Sequence, residues 1–140
     1  ITTIQIDFGN GNVSNTSTSN AVIGDGVASN FYKIVTSTNG IVYKIELNCI
    51  EKAASASTNL DRIGIKYHSS ALASGSDGGT IAVTATFDTF DKGDASSGSS
   101  FSESGQEGLS DQFLHLYHSQ SGASDYTAGK FLVKIYGSTF

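Results

Sequence analysis

Two histidines three residues apart, His115 and His118 in the run HLYH, are the first residues whose type suggests chemistry. Imidazole nitrogens bind zinc, but the surrounding alternation predicts a strand, in which residues three apart point to opposite faces. The two rings therefore cannot share one ion, and His68 lies far away in the sequence. We predict that these histidines face solvent or an interface and hold no metal.

Four aspartates in polar stretches resemble a calcium-binding loop only in part: Asp77 in SGSDGG, and Asp88, Asp91 and Asp94 in DTFDKGD. Calcium loops usually place their carboxylates two residues apart. Here the spacing is three residues, and Lys92 intervenes. The pattern therefore favours solvated turns over an ion site.

Catalytic motifs are missing from the sequence. No serine lies in a G-x-S-x-G elbow, and there is no glycine-rich phosphate-binding loop. The sole cysteine, Cys49, lies in IELNCIE without a neighbouring histidine or basic cluster, so we interpret it as a buried structural residue. We expect no enzymatic activity, no catalytic residue and no cofactor.

Charge and length exclude further classes. The 140 residues carry a net charge of −5, and their eight Lys and Arg are scattered. A nucleic-acid-binding protein would show a clustered basic face, and an anionic membrane surface is disfavoured for the same reason. No apolar run approaches the roughly 20 residues of a spanning helix. We predict a single domain over residues 1–140, and the absence of Met suggests that a segment before Ile1 was processed or left out.

The elements that position these residues are strands, because apolar and polar residues alternate along most of the chain. The alternating stretches are TTIQIDF, NFYKIVT, IVYKIELNCIE, RIGIKYH, TIAVTATF, QFLHLYH and KFLVKIY. This period predicts half-buried antiparallel strands. In IVYKIELNCIE it places Tyr43, Ile45, Leu47 and Cys49 on one face. We predict an all-β fold: one antiparallel β-sandwich, jelly-roll-like, with an immunoglobulin-like sandwich as the alternative.

Two connections have a distinctive sequence. Asn39-Gly40 lies between two apolar runs and predicts a tight hairpin joining the strand that ends near Thr36 to the strand that begins at Ile41. Residues 91–110 are rich in Ser and Gly, with Phe101 as their strong apolar residue, and predict a long polar loop.

Several stretches carry a family resemblance. NGIVYKIELNCIE and LSDQFLHLYHSQSGASDYTAGKFLVKIYG, with the opening TTIQIDFGNG and the lead-in NAVIGDG, resemble small virion proteins of marine short-tailed phages. The resemblance spans nearly the whole chain. It implies a β-rich structural protein on the capsid surface of the virion that decorates or cements the head. Its expected partner is the major capsid protein or another virion protein, and the family brings no catalytic residue.

The predicted interfaces lie on two strands. In the closing strand, Leu132 and Tyr136 flank Lys134 on the face opposite the core, and we expect this face, with Phe140 beyond it, to meet a neighbouring subunit in a homo-oligomer. In the first strand the candidate residues are Ile4, Ile6 and Phe8. Their alternation also permits a pilus subunit or adhesin that donates this strand to a neighbour. A tail or fibre component and a sugar-binding module that uses exposed tyrosines and loop aspartates are further alternatives.

Overall fold

The computed structural model describes residues 1–8, 22–24, 29–55, 63–73, 100–104, 109–118 and 126–139, with the backbone alone for 52–55 and 100–104. Within these ranges the elements are one short helix and seven strands. In chain order they are β1 (Thr2–Asp7), β2 (Asn30–Lys33), α1 (Thr36–Asn39), β3 (Ile41–Ser55), β4 (Ile63–His68), β5 (Ser100–Ser104), β6 (Phe113–His118) and β7 (Tyr126–Ser138).

The strands form two antiparallel sheets. The four-stranded sheet has the order β1-β7-β3-β5, and the three-stranded sheet has the order β2-β6-β4. Each described strand lies in the opposite sheet from the described strand before it. The predicted all-β sandwich is therefore confirmed, with the chain crossing repeatedly between its two sheets.

One hydrophobic core lies between the sheets. The four-stranded sheet contributes Ile45, Leu47, Cys49, Phe131, Val133 and Ile135, and the three-stranded sheet contributes Ile63, Ile65, Tyr67, Leu114 and Leu116. These residues occupy alternate positions on their strands, as the period-two pattern predicted. Burying each of the larger side chains stabilises the fold by about 1.5–3 kcal/mol relative to leaving it exposed. The interpretation of Cys49 as a buried residue is confirmed, since only 1% of it is exposed.

The hairpin predicted at Asn39-Gly40 is wrong, because β2 and β3 belong to different sheets. Asn39 ends α1 and holds the two sheets together through its side chain. Its amide nitrogen donates to Thr2 Oγ1 of β1 (2.9 Å) and to the Tyr32 hydroxyl of β2 (3.0 Å), and its Oδ1 accepts from the Val35 backbone N–H (2.8 Å). The Asn-Gly pair does mark a sharp turn, but tertiary packing decides that the strands on its two sides join different sheets.

Two glycines allow this junction to pack closely. Gly40 has φ 67°, a left-handed conformation that favours glycine. A Cβ at Gly137 of β7 would collide with the Asn39 carbonyl oxygen, so any larger residue at this position would push the strand and the turn apart. The Asn39–Gly40 turn is thereby fixed against the end of β7.

Two further sequence expectations fall in the middle of the chain. Strand β5 lies inside the predicted loop 91–110 and pairs with β3, with Phe101 in register with Leu47. The loop prediction missed it because Ser-rich sequence carries little apolar signal, whereas an edge strand is held by its backbone hydrogen bonds.

The strand predicted from TIAVTATF, residues 80–87, lies outside the described residues. Of the described helices, none has the length and hydropathy to cross a membrane.

Candidate functional site

The surface of the four-stranded sheet that points away from the core is the candidate site, and we call it the outer face. Phe131, Val133 and Ile135 point inward, so the residues that alternate with them on β7 point outward. The residues of β1 and β3 that pair with these outward residues point outward too. The described side chains of the outer face are Thr3, Gln5 and Asp7 on β1, Lys130, Leu132, Lys134 and Tyr136 on β7, and Tyr43, Lys44, Glu46, Asn48, Ile50 and Glu51 on β3.

Two β-bulges in β3 bring extra apolar residues onto the outer face. The pairing with β7 shifts register between Val42 and Lys44 and again between Cys49 and Glu51, so β3 has one additional residue at each place. These residues are Tyr43 and Ile50, whose exposed fractions are 50% and 52%. A regular strand would have kept Tyr43 on the same side as Ile45. The prediction that Tyr43 lies on the core face is therefore wrong.

Glu46 is the centre of a polar network on this face. Its carboxylate accepts from the Tyr136 hydroxyl (2.9 Å) and from the Asn48 side-chain amide (3.3 Å). The Lys44 and Lys134 ammonium groups lie 3.1 Å and 3.7 Å from its oxygens. Partial burial by itself raises the pKa of Glu46, but the hydrogen bonds from Lys44, Tyr136 and Asn48 outweigh it and lower that pKa. The same hydrogen bond raises the pKa of Tyr136.

Lys130 organises the opposite end of the face. Its ammonium group lies 3.2 Å from Glu51 on β3 and 3.8 Å from Asp7 on β1. The pKa of Lys130 is raised first by the hydrogen bond to Glu51 and then by the charges of Asp7 and Glu51. These ion pairs are solvent-exposed, so they contribute little to stability, and their main effect is to fix the charge pattern of the surface.

Aromatic side chains lie over the end of the face that carries Lys44. The rings of Tyr43 and Tyr136 have centroids 6.4 Å apart, and the Lys44 ammonium lies 4.8 Å from the centre of the Tyr136 ring. This distance is that of a cation–π contact. The arrangement leaves two partly exposed tyrosine rings, with the Tyr136 hydroxyl hydrogen-bonded to Glu46, a composition that suits protein interfaces.

The structure places the predicted interface residues in two different environments. Leu132 and Tyr136 lie half-buried on the outer face, on the side opposite the core as predicted. Ile4 and Ile6 point the other way and pack against the core. Phe140 lies outside the described residues.

Phe8 also belongs to the protein's own core. The residue is 3% exposed, and the centre of its ring lies 5.2 Å from that of Tyr126 and 5.5 Å from that of Phe131. It is therefore not available on the surface that a neighbouring subunit would meet. The alternation that suggested an interface on β1 reflects packing within the chain.

The prediction that His115 and His118 face solvent or an interface is wrong, because both are fully buried within the chain. They do point to opposite faces of β6, since His115 pairs with Lys66 and His118 with Ile63. His115 Nε2 accepts a hydrogen bond from the Leu72 backbone N–H (2.9 Å), which occupies the lone pair that a metal would need. Burial, with a smaller contribution from the charge of His68, lowers the pKa of His115 to about 4.

The other residues considered for chemistry give no described site. Asp77, Asp88, Asp91 and Asp94 lie outside the described residues. Within the described ranges, no group of three or more His, Cys, Asp or Glu side chains is placed to hold a metal ion.

Sequence reasoning missed Tyr43 and Ile50 as surface residues. A signal was present, because the adjacent apolar pairs Val42-Tyr43 and Cys49-Ile50 each interrupt the alternation of β3. An apolar pair in an otherwise alternating strand can mark a bulge that turns its second residue outward.

Comparison with known proteins gives no match, whether with family models, curated proteins or solved structures.

Proposed function

We propose that this chain is a structural protein of a phage virion, and most concretely a decoration protein that binds the head lattice through contacts with the major capsid protein. The observation that carries the proposal joins the sequence to the fold. The two stretches that resemble phage virion proteins, residues 39–51 and 109–137, hold most of β3 and β7, which pair with each other and supply most of the described outer face. The second stretch also holds β6 of the other sheet, so the resemblance includes this surface along with part of the core.

The physical character of the outer face supports a role in protein assembly. It is broad and combines partly exposed Tyr43, Ile50 and Tyr136 with charged groups held in defined positions. Protein interfaces combine aromatic and apolar contact area with a polar surround in this way. A lattice-binding protein needs only modest affinity at each site, since contacts multiplied over many copies give high total avidity.

The strand order supports a jelly roll as the form of the sandwich. β1 lies beside β7, β2 lies beside β6, and the described chain alternates between sheets at each step. A jelly roll has this nested order, and viral capsid proteins are among the proteins that use it. Lectin domains use it too, so this support is by analogy of fold and is weaker than that of the outer face.

The arrangement of β1 removes the basis for the pilus or adhesin alternative. A donor strand completes the sheet of a neighbouring subunit. Here Thr2–Asp7 pairs along its whole length with β7 of the same chain, from Thr2 opposite Ile135 to Asp7 opposite Lys130. The first strand thus completes its own sandwich.

Imaging of phage heads tests the proposal. Purified protein is added to heads that lack it, and the mixture is reconstructed by electron cryomicroscopy. We expect additional density at symmetry-related positions of the lattice, whereas heads that already carry the protein should gain none. Density confined to the tail would favour the tail or fibre alternative. Unchanged heads and tails at saturating protein would contradict a virion role.

A further inference from the structure

The outer face has two ends of opposite character, separated along the strands. At one end Lys130 lies between Asp7 and Glu51, so one positive charge stands with two negative charges beside the exposed Ile50. At the other end Lys44 lies with Tyr43 and Tyr136, and its ammonium group is 3.1 Å from Glu46 in the next row of paired residues. Counted by rows, Asp7, Lys130 and Glu51 carry a net negative charge beside an aliphatic side chain, and the row of Lys44 and Tyr136 carries a positive charge beside aromatic rings.

The middle of the face is neutral. Lys134 is paired with Glu46 at 3.7 Å, and Leu132 lies opposite Asn48 and Gln5. Over the whole described face, the carboxylates Asp7, Glu46 and Glu51 balance the ammonium groups Lys44, Lys130 and Lys134. The complete chain carries −5, so this face is one through which two acidic molecules can approach with little repulsion.

We propose that the outer face binds the outer face of a second copy of this chain, about a two-fold axis that crosses β3 and β7 near their centres. This inference rests on the proposed function and assigns the outer face to the contact between subunits, which leaves the other surfaces of the dimer for the head lattice. A two-fold axis in the plane of the interface and perpendicular to the strands reverses the strand direction of the partner. It brings the acidic end of each copy against the basic end of the other. Glu51 then meets Lys44 of the second copy, and Ile50 meets the ring of Tyr43.

The dimensions of the face limit the strength of such a contact. Three strands about 4.8 Å apart and four rows of outward side chains about 6.8 Å apart cover roughly 400 Å² per copy, or about 800 Å² for the pair. This is below the size of stable specific interfaces, so we expect a weak dimer that dissociates on dilution. The bulges supply the most exposed apolar side chains of the described face, Tyr43 and Ile50, which a regular β3 would not have placed there.

Charge exchange tests the pairing directly. Lys44 and Glu51 are seven residues apart on β3, about 23 Å, which is well beyond the screening length of about 8 Å at physiological salt. They cannot compensate each other within one chain. Across the proposed dimer, however, the variant Lys44→Glu/Glu51→Lys restores opposite charges at both contacts.

Analytical ultracentrifugation of the full chain is the measurement. We expect wild type to form dimers, and Lys44→Glu and Glu51→Lys each to raise the dissociation constant by about tenfold or more. The double variant should recover to within about threefold of wild type. The matched control is Lys33→Glu, the same charge change at an exposed residue of the other sheet, and it should leave dimerisation unchanged. Thermal melts establish that each variant is folded.

Three results would overturn the inference. Wild type that stays monomeric at several hundred micromolar has no such interface. A double variant that dimerises no better than the worse single variant has a different pairing, and a control as defective as the face variants places the contact elsewhere. If wild type is monomeric but Tyr43→Ser abolishes head binding, the outer face contacts another virion protein. In that case the dimer is wrong and the proposed function stands.

Discussion

The two sheets of this sandwich treat their charged residues in opposite ways. On the outer face of the four-stranded sheet, Glu46, Lys130 and their partners are paired in contact with solvent. On the corresponding face of the three-stranded sheet, Lys66, His115 and Tyr117 are buried, with exposed fractions of 5%, 0% and 2%. We call this second surface the covered face.

The covered face is closed by other parts of the same chain. Leu72 lies over it, donating its N–H to His115 and accepting at its carbonyl from the Ser29 N–H (2.7 Å). The Lys66 ammonium lies 4.2 Å from the centre of the Tyr117 ring, a cation–π contact that is stronger for its burial. One sheet is therefore covered within the chain, whereas the described outer side chains of the other sheet are partly exposed to solvent.

The largest effect expected from this difference is on stability, and two tyrosines provide the test. Tyr117→Ala empties a buried site beneath Lys66 and should lower the free energy of unfolding by about 3–5 kcal/mol. Tyr136→Ala removes a ring from the outer face and should have less than half that effect. Urea denaturation of both variants measures the difference. Equal losses would mean that the outer face is as important to the fold as the covered face.

A second prediction concerns pH and the covered face. The pKa of His115 in the folded protein is about 4, below its ordinary 6.5, so the unfolded chain binds the proton more readily between these values. Above about pH 6.5 His115 is neutral in both states and does not lower the free energy of unfolding. As pH falls from 6.5 towards 4, the free energy of unfolding decreases by about 1–3 kcal/mol in total. Burial is the main cause of this shift, and the charge of His68 adds to it.

The pH prediction is checked by urea denaturation at intervals from pH 7.5 to 4.5. His115→Gln should flatten the pH dependence, while His68→Gln, which changes a less buried ring of β4, should retain most of it. A wild-type stability that does not change between pH 6.5 and 4.5 would contradict the burial of a neutral His115.

The smallest expected effect on stability is at the bulges. Tyr43→Ser and Ile50→Ser change side chains that are about half exposed, and each should shift the unfolding free energy by only about 0.5 kcal/mol or less. Both should nevertheless weaken dimerisation. A loss of stability as large as that of Tyr117→Ala would show that these residues serve the fold and not a contact.

The sequence predicted the sandwich because its core follows a simple rule. Ile45, Leu47 and Cys49 on β3 and Phe131, Val133 and Ile135 on β7 alternate without interruption, and this pattern defines the buried face of each strand. The same rule placed Leu132 and Tyr136 on the opposite face.

The remaining features depend on contacts between segments distant in sequence. Asn39 could not be assigned to a junction between sheets, since its partners Thr2 and Tyr32 are determined by the assembled fold. His115 looked like a surface residue because the covering of its face by Leu72 leaves no periodic signal. The bulges at Tyr43 and Ile50 likewise become definite only when β3 is paired with β7.

Site-directed cross-linking tests the central claim most directly. Tyr43→Cys and Ile50→Cys are prepared as single variants and treated, separately and mixed, with a thiol cross-linker of about 10 Å reach, the spacing of stacked sheets. The native Cys49 is buried and should react slowly, and wild type serves as the control for it. We expect the mixture to form cross-linked dimers much faster than either variant alone, because residue 43 of one copy faces residue 50 of the other. Cross-linking in the mixture no faster than in the separate variants would contradict the two-fold contact between outer faces.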